Sequence, residues 1–159
     1  MLVYLIFLVD IIYKIKKYNV PFGMVKLLLI VFLLSLLVSF YMFFAAKDID
    51  IGTSGSDSLF YYNTALEIVN NPGSLFGYFA QHSGGYIALI SVTLLTMPID
   101  SSYVLIMLNM VIFIDLILTL YLYLLKKKIQ EAQYIVIILA LSGGLMLVSV
   151  QILKDIFLF

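Results

Sequence analysis

Two aspartates, Asp57 and Asp155, are the residues of this chain whose type and position best suit chemistry. Each falls where a strongly apolar stretch meets a predicted aqueous boundary. An ionised carboxylate at such a boundary can act as a general base, and two carboxylates can hold a hard divalent cation such as Mg²⁺ or Mn²⁺. The pair therefore predicts a site at one face of a membrane, with a divalent metal ion as its candidate cofactor.

Two further residues are candidate substrate contacts. Lys154 precedes Asp155 and could meet a phosphate group as a point charge, and His82, the single histidine, falls in a predicted external loop. Simpler explanations stand beside these. Asp57 can cap a helix through its first N–H groups and the helix dipole, Lys154 and Asp155 can form an ordinary solvated pair, and His82 can be a solvated loop residue. Both sets of interpretations stay open.

The composition indicates an integral membrane protein. Hydrophobic residues make up 64% of the 159 residues and charged residues only 11%, which is far from the composition of a soluble domain. The formal net charge is zero, so the chain does not show the excess of basic residues that is typical of a nucleic-acid-binding protein. The absence of cysteine excludes a disulfide framework and a thiolate metal site.

The apolar segments and the lysines predict the topology. Segments 27–46, 103–125 and 132–152 are each long enough to cross a bilayer. Lysines precede the first segment and follow the second, so the positive-inside rule places those ends in the cytoplasm. Residues 47–100 then form one large external loop. Within it, 85–97 is apolar but too short to cross, and we predict an interfacial helix there.

The expected fold is all-α: a multi-pass transmembrane helical bundle with a large external loop that contains interfacial helices. Residues 1–26 are predicted to be an N-terminal segment with a basic cytoplasmic stretch, followed by one transmembrane domain over 27–159. Residues 2–13 are apolar but short and contain Asp10, which leaves three alternatives: an interfacial helix, the tail of a span truncated at its start, or an uncleaved signal-like segment. Residues 153–159 begin a further apolar helix without a polar tail, so we expect a truncated chain and an incomplete fold.

One carboxylate, that of Asp115, lies in the middle of the second predicted span. A charged form costs at least about 2.5 kcal/mol at that depth, so the side chain is expected to be protonated and hydrogen-bonded or to face a polar interior. Thr119, one helical turn later on the same helix, is a candidate local partner. We therefore favour a structural role for Asp115.

Three features occur in a fixed order along the chain. They are an acid followed by an aromatic helix, then a histidine-containing turn, then a second acid after a later span. The residues are Asp57-Ser58-Leu59-Phe60-Tyr61-Tyr62-Asn63-Thr64-Ala65, His82-Ser83-Gly84-Gly85-Tyr86 and Leu153-Lys154-Asp155. This order resembles the N-terminal part of polytopic GT-C glycosyltransferases, specifically the protein mannosyltransferase and aminoarabinose transferase group (glycosyltransferase family 39-like). The resemblance covers about Leu27 to Phe159. It departs from the family at the turn, where prolines usually follow the His or Lys.

The resemblance implies transfer of a sugar from a polyprenyl-phosphate-linked donor at the external face of a multi-pass membrane protein, most simply in a bacterial inner membrane. Asp57 would position or deprotonate the acceptor, and Asp155 would orient the site or bind a metal ion where a member uses one. Lys154 would stabilise the departing phosphate, with His82 and Tyr61 as further substrate contacts. The family fold also implies C-terminal spans or a partner subunit beyond this chain, which is expected to be inactive alone.

Two alternatives stay beside this interpretation. A lipid-linked polysaccharide polymerase also works at the external face, but such enzymes tend to rely on external arginines and this chain has no arginine. A small non-enzymatic membrane subunit would pack its spans against a larger partner, for which Ser142-Gly143-Gly144 offers a small-residue packing site. Membrane lipid is a partner under every interpretation.

Overall fold

The computed structural model describes residues 2–45, 56–79, 84–97 and 102–142, which are helical with short connections and contain no strand. The helices are α1 (Leu2–Lys17), α2 (Phe22–Ala45), α3 (Ser56–Asn70), α4 (Leu75–Phe79), α5 (Gly84–Thr96), α6 (Ser102–Lys126) and α7 (Ala132–Ala140), and a 3₁₀ turn at Pro72–Ser74 joins α3 to α4.

Two helices, α2 and α6, are long and apolar enough to cross a membrane. With 24 and 25 residues they extend about 36–38 Å at about 1.5 Å per residue. They coincide with the predicted spans 27–46 and 103–125. A helix, α7, begins at Ala132, where the third predicted span 132–152 was expected to begin, and it is described as far as Ala140. Residues beyond 142 lie outside the described part, so the span itself stays a prediction.

The first helix, α1, runs parallel to α6. Near the start of both helices the Tyr4 hydroxyl donates a hydrogen bond to the carbonyl of Val104. Near the end of α1, Lys14 contacts Asp115 and Thr119, which lie further along α6. The residues 2–13, for which the sequence left three alternatives, are thus part of a helix that lies along α6 and extends to Lys17.

The connections α1–α2 and α6–α7 share the same backbone conformation and hydrogen-bond pattern. Asn19 and Lys128 each adopt a positive φ, of 47° and 58°. The next residue in each case donates its N–H back to a carbonyl five residues earlier, Val20 to Ile15 and Ile129 to Leu124. This pattern satisfies carbonyls that the end of a helix leaves without partners.

The C-terminal ends of α1 and α6 meet, since Tyr18 and Lys126 line the same cleft. Seven lysines belong to this end of the molecule, which we call the basic end. They are Lys14, Lys16 and Lys17 in the last turn of α1, Lys26 near the start of α2, Lys126 at the end of α6, and Lys127 and Lys128 just after it.

The buried face of α2 is a stripe at helical spacing that packs against α6 and α7. Met24, Leu28 and Val31 are almost fully buried, and the stripe continues with Ser35 and Ser39. Neither serine hydroxyl has a hydrogen-bond partner among the described residues. The opposite face of α2 is exposed as far as Tyr41, as expected of a helix in contact with lipid.

The helices α3, α4 and α5 form a second layer on the first. The α3–α5 contact is the most extensive in the described part of the chain, and α5 also contacts α1 and α6. Within α5, the hydroxyls of Ser91 and Thr93 donate to the carbonyls of Ile87 and Leu89 one turn earlier, at 2.7 Å and 2.8 Å. These internal bonds let a helix with several hydroxyl groups bury most of its surface.

Candidate functional sites

The helix predicted to begin near Asp57 and to end at Asn70 is present as α3. Asp57 is its second residue, so its backbone lies in the first turn as predicted. A helix N-terminus favours a negative charge through its unpaired N–H groups and the dipole, by about 0.3–1 kcal/mol at an exposed site. The Asp57 side chain itself lies outside the described part, so its cap and its contacts stay a prediction.

Aromatic packing fixes α3 on α5. The Tyr61 ring contacts the Tyr86 ring edge-on at 5.3 Å between centroids, and it contacts the neighbouring Phe60 ring at 5.6 Å. Tyr61 and Tyr86 are 4% and 7% exposed, whereas Phe60 is 49% exposed. Edge-to-face pairs of this kind add about 0.5–1.5 kcal/mol to the gain from burial.

A buried polar contact then links this pair to α6. The Tyr86 hydroxyl lies 3.4 Å from Asn109 Oδ1 and 3.3 Å from Asn109 Nδ2, slightly longer than usual hydrogen-bond distances. Asn109 is fully buried in the half of α6 away from Lys126. The first turns of α3 are therefore tied, through Tyr61 and Tyr86, to the half of α6 opposite the basic end.

A second site lies between α1 and α6 and is built around Lys14. Its Nζ is 2.5 Å from Asp10 Oδ2 and 2.7 Å from Asp115 Oδ1, and it donates to Thr119 Oγ1 at 2.9 Å. The side chains of Lys14 and Asp115 are only 19% and 14% exposed, while that of Asp10 is 43% exposed. We call these four residues the Lys14 cluster.

The Lys14 cluster explains how a carboxylate is accommodated in the middle of a long apolar helix. Asp115 lies about 16 Å along the helix axis from Lys126. The ion pair and its short hydrogen bonds replace the hydration that these largely buried side chains lose, and Thr119 supplies a further acceptor for the ammonium group. Thr119, predicted as the partner of Asp115, instead shares Lys14 with it.

The Lys14 cluster forms one wall of a cleft of about 740 Å³ at the basic end. The lining combines charged, phenolic and apolar side chains from α1 and α6. They are Asp10, Tyr13, Lys14, Tyr18, Thr119, Leu122, Tyr123, Leu125 and Lys126. On the other side of α1, a wholly apolar groove of about 370 Å³ lies between α1, α2 and α6.

Glu67 is a further carboxylate whose side chain is described, and it lies on α3, the helix that begins near Asp57. The Tyr78 hydroxyl donates to Glu67 Oε2 at 3.0 Å, which joins α3 to α4. This hydrogen bond is the main cause that raises the pKa of Tyr78, with a smaller contribution from burial. Glu67 is thereby a matched carboxylate for comparison with Asp57 on the same helix.

Asp155, Lys154 and His82, the other predicted site residues, lie outside the described part, so whether they come together stays a prediction. Tyr61, predicted as a substrate contact, is buried in the α3–α5 interface. Within residues 2–45, 56–79, 84–97 and 102–142, no group of three or more His, Cys, Asp or Glu side chains is placed to hold a metal ion. The predicted metal site of Asp57 and Asp155 is not tested by this, since neither side chain is described.

Sequence reasoning missed the Lys14 cluster. Two signals for it were present: Asp10 and Lys14 stand at i and i+4 on an apolar helix, and Asp115 and Thr119 stand at the same spacing on another. Each pair had a local explanation, so the sequence did not require that the two pairs meet.

Comparison of the chain with family models, with curated proteins and with solved structures finds no match.

Proposed function

We propose that this chain is part of a multi-pass membrane glycosyltransferase that moves a sugar from a polyprenyl-phosphate-linked donor to an acceptor at the outer face of a membrane. In this proposal α2 and α6 cross the bilayer, the basic end faces the cytoplasm, and Asp57 lies at the opposite face. A bacterial inner membrane fits this arrangement, because its lipid-linked sugar donors are used at the external face.

The observation that supports the proposal most is the anchoring of α3. Tyr61, one turn after Asp57, packs on Tyr86, which contacts Asn109 in the half of α6 away from the lysines. A carboxylate in the first turn of a helix held in this way keeps a fixed position at the membrane boundary. A general base needs such a fixed position within hydrogen-bond reach of the acceptor hydroxyl or amine.

In the proposed reaction Asp57 accepts the proton of the acceptor group as that group attacks the sugar carbon, and the polyprenyl phosphate leaves. Lys154 stabilises the negative charge on the departing phosphate, and Asp155 orients the site or holds a divalent metal ion where the reaction uses one. His82 contacts the substrate. Tyr61 holds the helix that carries Asp57.

The test compares Asp57→Asn with Glu67→Gln in membranes that contain the protein at its native length with its partner subunits. Polyprenyl-phosphate-linked mannose and aminoarabinose, radiolabelled in the sugar, are supplied, and release of label from the lipid is followed. Loss of a general base should lower transfer by about 10²–10⁴-fold in Asp57→Asn. Glu67→Gln removes a carboxylate from the same helix and should retain transfer.

Membrane abundance of both variants is measured by immunoblot, so that a folding defect is separated from a catalytic one. Transfer by Asp57→Asn at the wild-type rate, with equal abundance, would sink the proposal. That result would favour the alternative of a non-enzymatic membrane subunit, in which Asp57 only caps α3.

A further inference from the structure

We propose that the cleft at the basic end binds the headgroup of an anionic phospholipid from the cytoplasmic leaflet. This inference rests on the membrane placement given under the proposed function, and it is independent of the transferase activity. Basic pockets between transmembrane helices at the cytoplasmic face are a common form of site for anionic lipid headgroups.

The cations of the site come from both helices that form the cleft. Lys126, at the end of α6, lines the cleft directly. The Lys17 ammonium lies 5.0 Å from the centroid of the Tyr13 ring and 5.5 Å from that of Tyr18, both of which line the cleft from α1. Lys126 thus lines the cleft from α6, and Lys17 lies against two tyrosines that line it.

A third cation lies beside them. The Lys127 ammonium is 5.6 Å from the centroid of the Tyr123 ring, a further lining residue of the cleft. Cation–π contacts orient an ammonium group without neutralising its charge, so Lys17 and Lys127 can still bind a phosphate. We call Lys17, Lys126 and Lys127 the rim lysines.

The deeper part of the cleft excludes an anion. Lys14 is already engaged by two carboxylates, and when Asp10 and Asp115 are both ionised the Lys14 cluster carries one excess negative charge. Because Asp10 is the more exposed of the two, its charge opposes an anion that enters further. A phosphodiester is therefore held at the rim, at the height of a lipid headgroup.

The apolar part of the lining distinguishes a lipid from a free anion. Leu122 and Leu125 line the cleft beside Lys126, and Leu125 is exposed at the surface of α6. An acyl glycerol group can cover these leucines while its phosphate meets the rim lysines. Free phosphate would use the cations alone and leave this apolar surface exposed.

The charge of the whole basic end suits the anionic cytoplasmic leaflet. Six of its seven lysines lie outside the Lys14 cluster, and the α6–α7 connection carries one acid, Glu131. Lysines near an anionic membrane surface attract it without selecting a particular site. The proposal goes beyond this general attraction, because it assigns selective binding to the rim lysines and not to the other lysines of the same end.

The test measures lipid retention by native mass spectrometry. The full chain is purified in detergent micelles that contain equal amounts of phosphatidylglycerol and phosphatidylcholine. Wild-type protein should retain phosphatidylglycerol in clear excess. The double variant Lys17→Gln with Lys126→Gln should lose most of this preference, because it removes the lysine that lines the cleft and one that lies over its tyrosines.

The matched control is Lys16→Gln with Lys26→Gln, which removes the same charge from exposed positions of the same end. Among the described contacts, neither lysine lines the cleft and neither ammonium lies over the ring of a lining tyrosine. This control should keep the preference. Equal loss in both double variants would overturn the proposal in favour of a diffuse surface charge. Equal retention of the two lipids by wild-type protein, or no change in the rim variant, would also overturn it. An inactive transferase with intact lipid preference would reject the proposed function alone.

Discussion

At the scale of single residues, the Lys14–Asp115 ion pair links α1 to α6 and should matter for stability. Both side chains are largely buried, so each charge depends on its protein partners for the stabilisation that water would otherwise supply. Removal of one partner leaves a buried charge, whereas removal of both leaves an apolar contact between two helices. The contribution of Asp10 is smaller, since an exposed carboxylate remains partly solvated.

Lys14→Met is expected to lower the free energy of unfolding by about 3–5 kcal/mol, because it leaves Asp115 ionised and unpaired or forces it to take up a proton. The double variant Lys14→Met with Asp115→Leu should regain most of this loss. Unfolding of the purified protein in mixed micelles, followed by circular dichroism as denaturing detergent is added, measures both changes.

Lys16→Met on the same helix is the control for this cycle, because Lys16 is exposed. It should change the free energy of unfolding by no more than about 0.5 kcal/mol. If Lys14→Met and Lys16→Met were equally stable, the pair in the α1–α6 interface would have no energetic role.

At the scale of elements, α3 depends on α5 for its place. Its hydrophobic residues point partly into that interface and partly outward, as the neighbours Tyr61 and Phe60 show by their exposures of 4% and 49%. A helix of 15 residues is marginal in isolation, so its stability comes mainly from packing. The position of Asp57 at its start is therefore set by aromatic contacts in the next turn.

Tyr61→Ala should destabilise the α3–α5 contact by about 3–5 kcal/mol, since it removes a buried ring and leaves a cavity against Tyr86. Phe60→Ala, the next residue on the same helix, should cost less because half of its ring surface is already exposed. Limited proteolysis reports local opening of α3, and Tyr61→Ala should be cleaved there much faster than Phe60→Ala. Equal cleavage of the two variants would contradict the packing described for α3.

At the scale of the whole molecule, the lysines define its orientation. The parallel course of α1 and α6 brings the last turns of both helices to one end, and the lysines of α2 and of the α6–α7 connection join them there. Under the proposed function, the positive-inside rule places this end in the cytoplasm. The connection between α3 and the 3₁₀ turn then belongs to the external side.

Single cysteines test this orientation cleanly, because the chain contains no cysteine. In right-side-out vesicles, Asn71→Cys should react with a membrane-impermeant maleimide, since it follows α3 at the external side. Lys16→Cys and Glu131→Cys should react only after the vesicles are permeabilised. Reaction of Asn71→Cys and Glu131→Cys from the same side would refute the topology.

Much of the fold follows from local sequence. The long apolar helices α2 and α6, the helix that begins near Asp57, and the start of α7 at Ala132 were all predicted, because each depends on apolar length, a turn signal or a flanking charge that lies nearby in the chain. The site of Asp57 and Asp155 was reasoned from topology and resemblance, and it stays a prediction. The proposed transfer reaction at the external face is therefore argued from the sequence, and the anchoring of α3 is the structural observation that supports it.

The Lys14 cluster shows what the sequence by itself did not determine. Lys14 and Asp115 are far apart in the chain, and each had a satisfactory local explanation, as a cytoplasmic lysine and as a carboxylate with Thr119 beside it. Only the packing of α1 parallel to α6 brings them within 2.7 Å. Local patterns determine where helices form, because their hydrogen bonds and apolar length are local; which charges meet depends on side chains from distant segments, and the tertiary structure alone decides that.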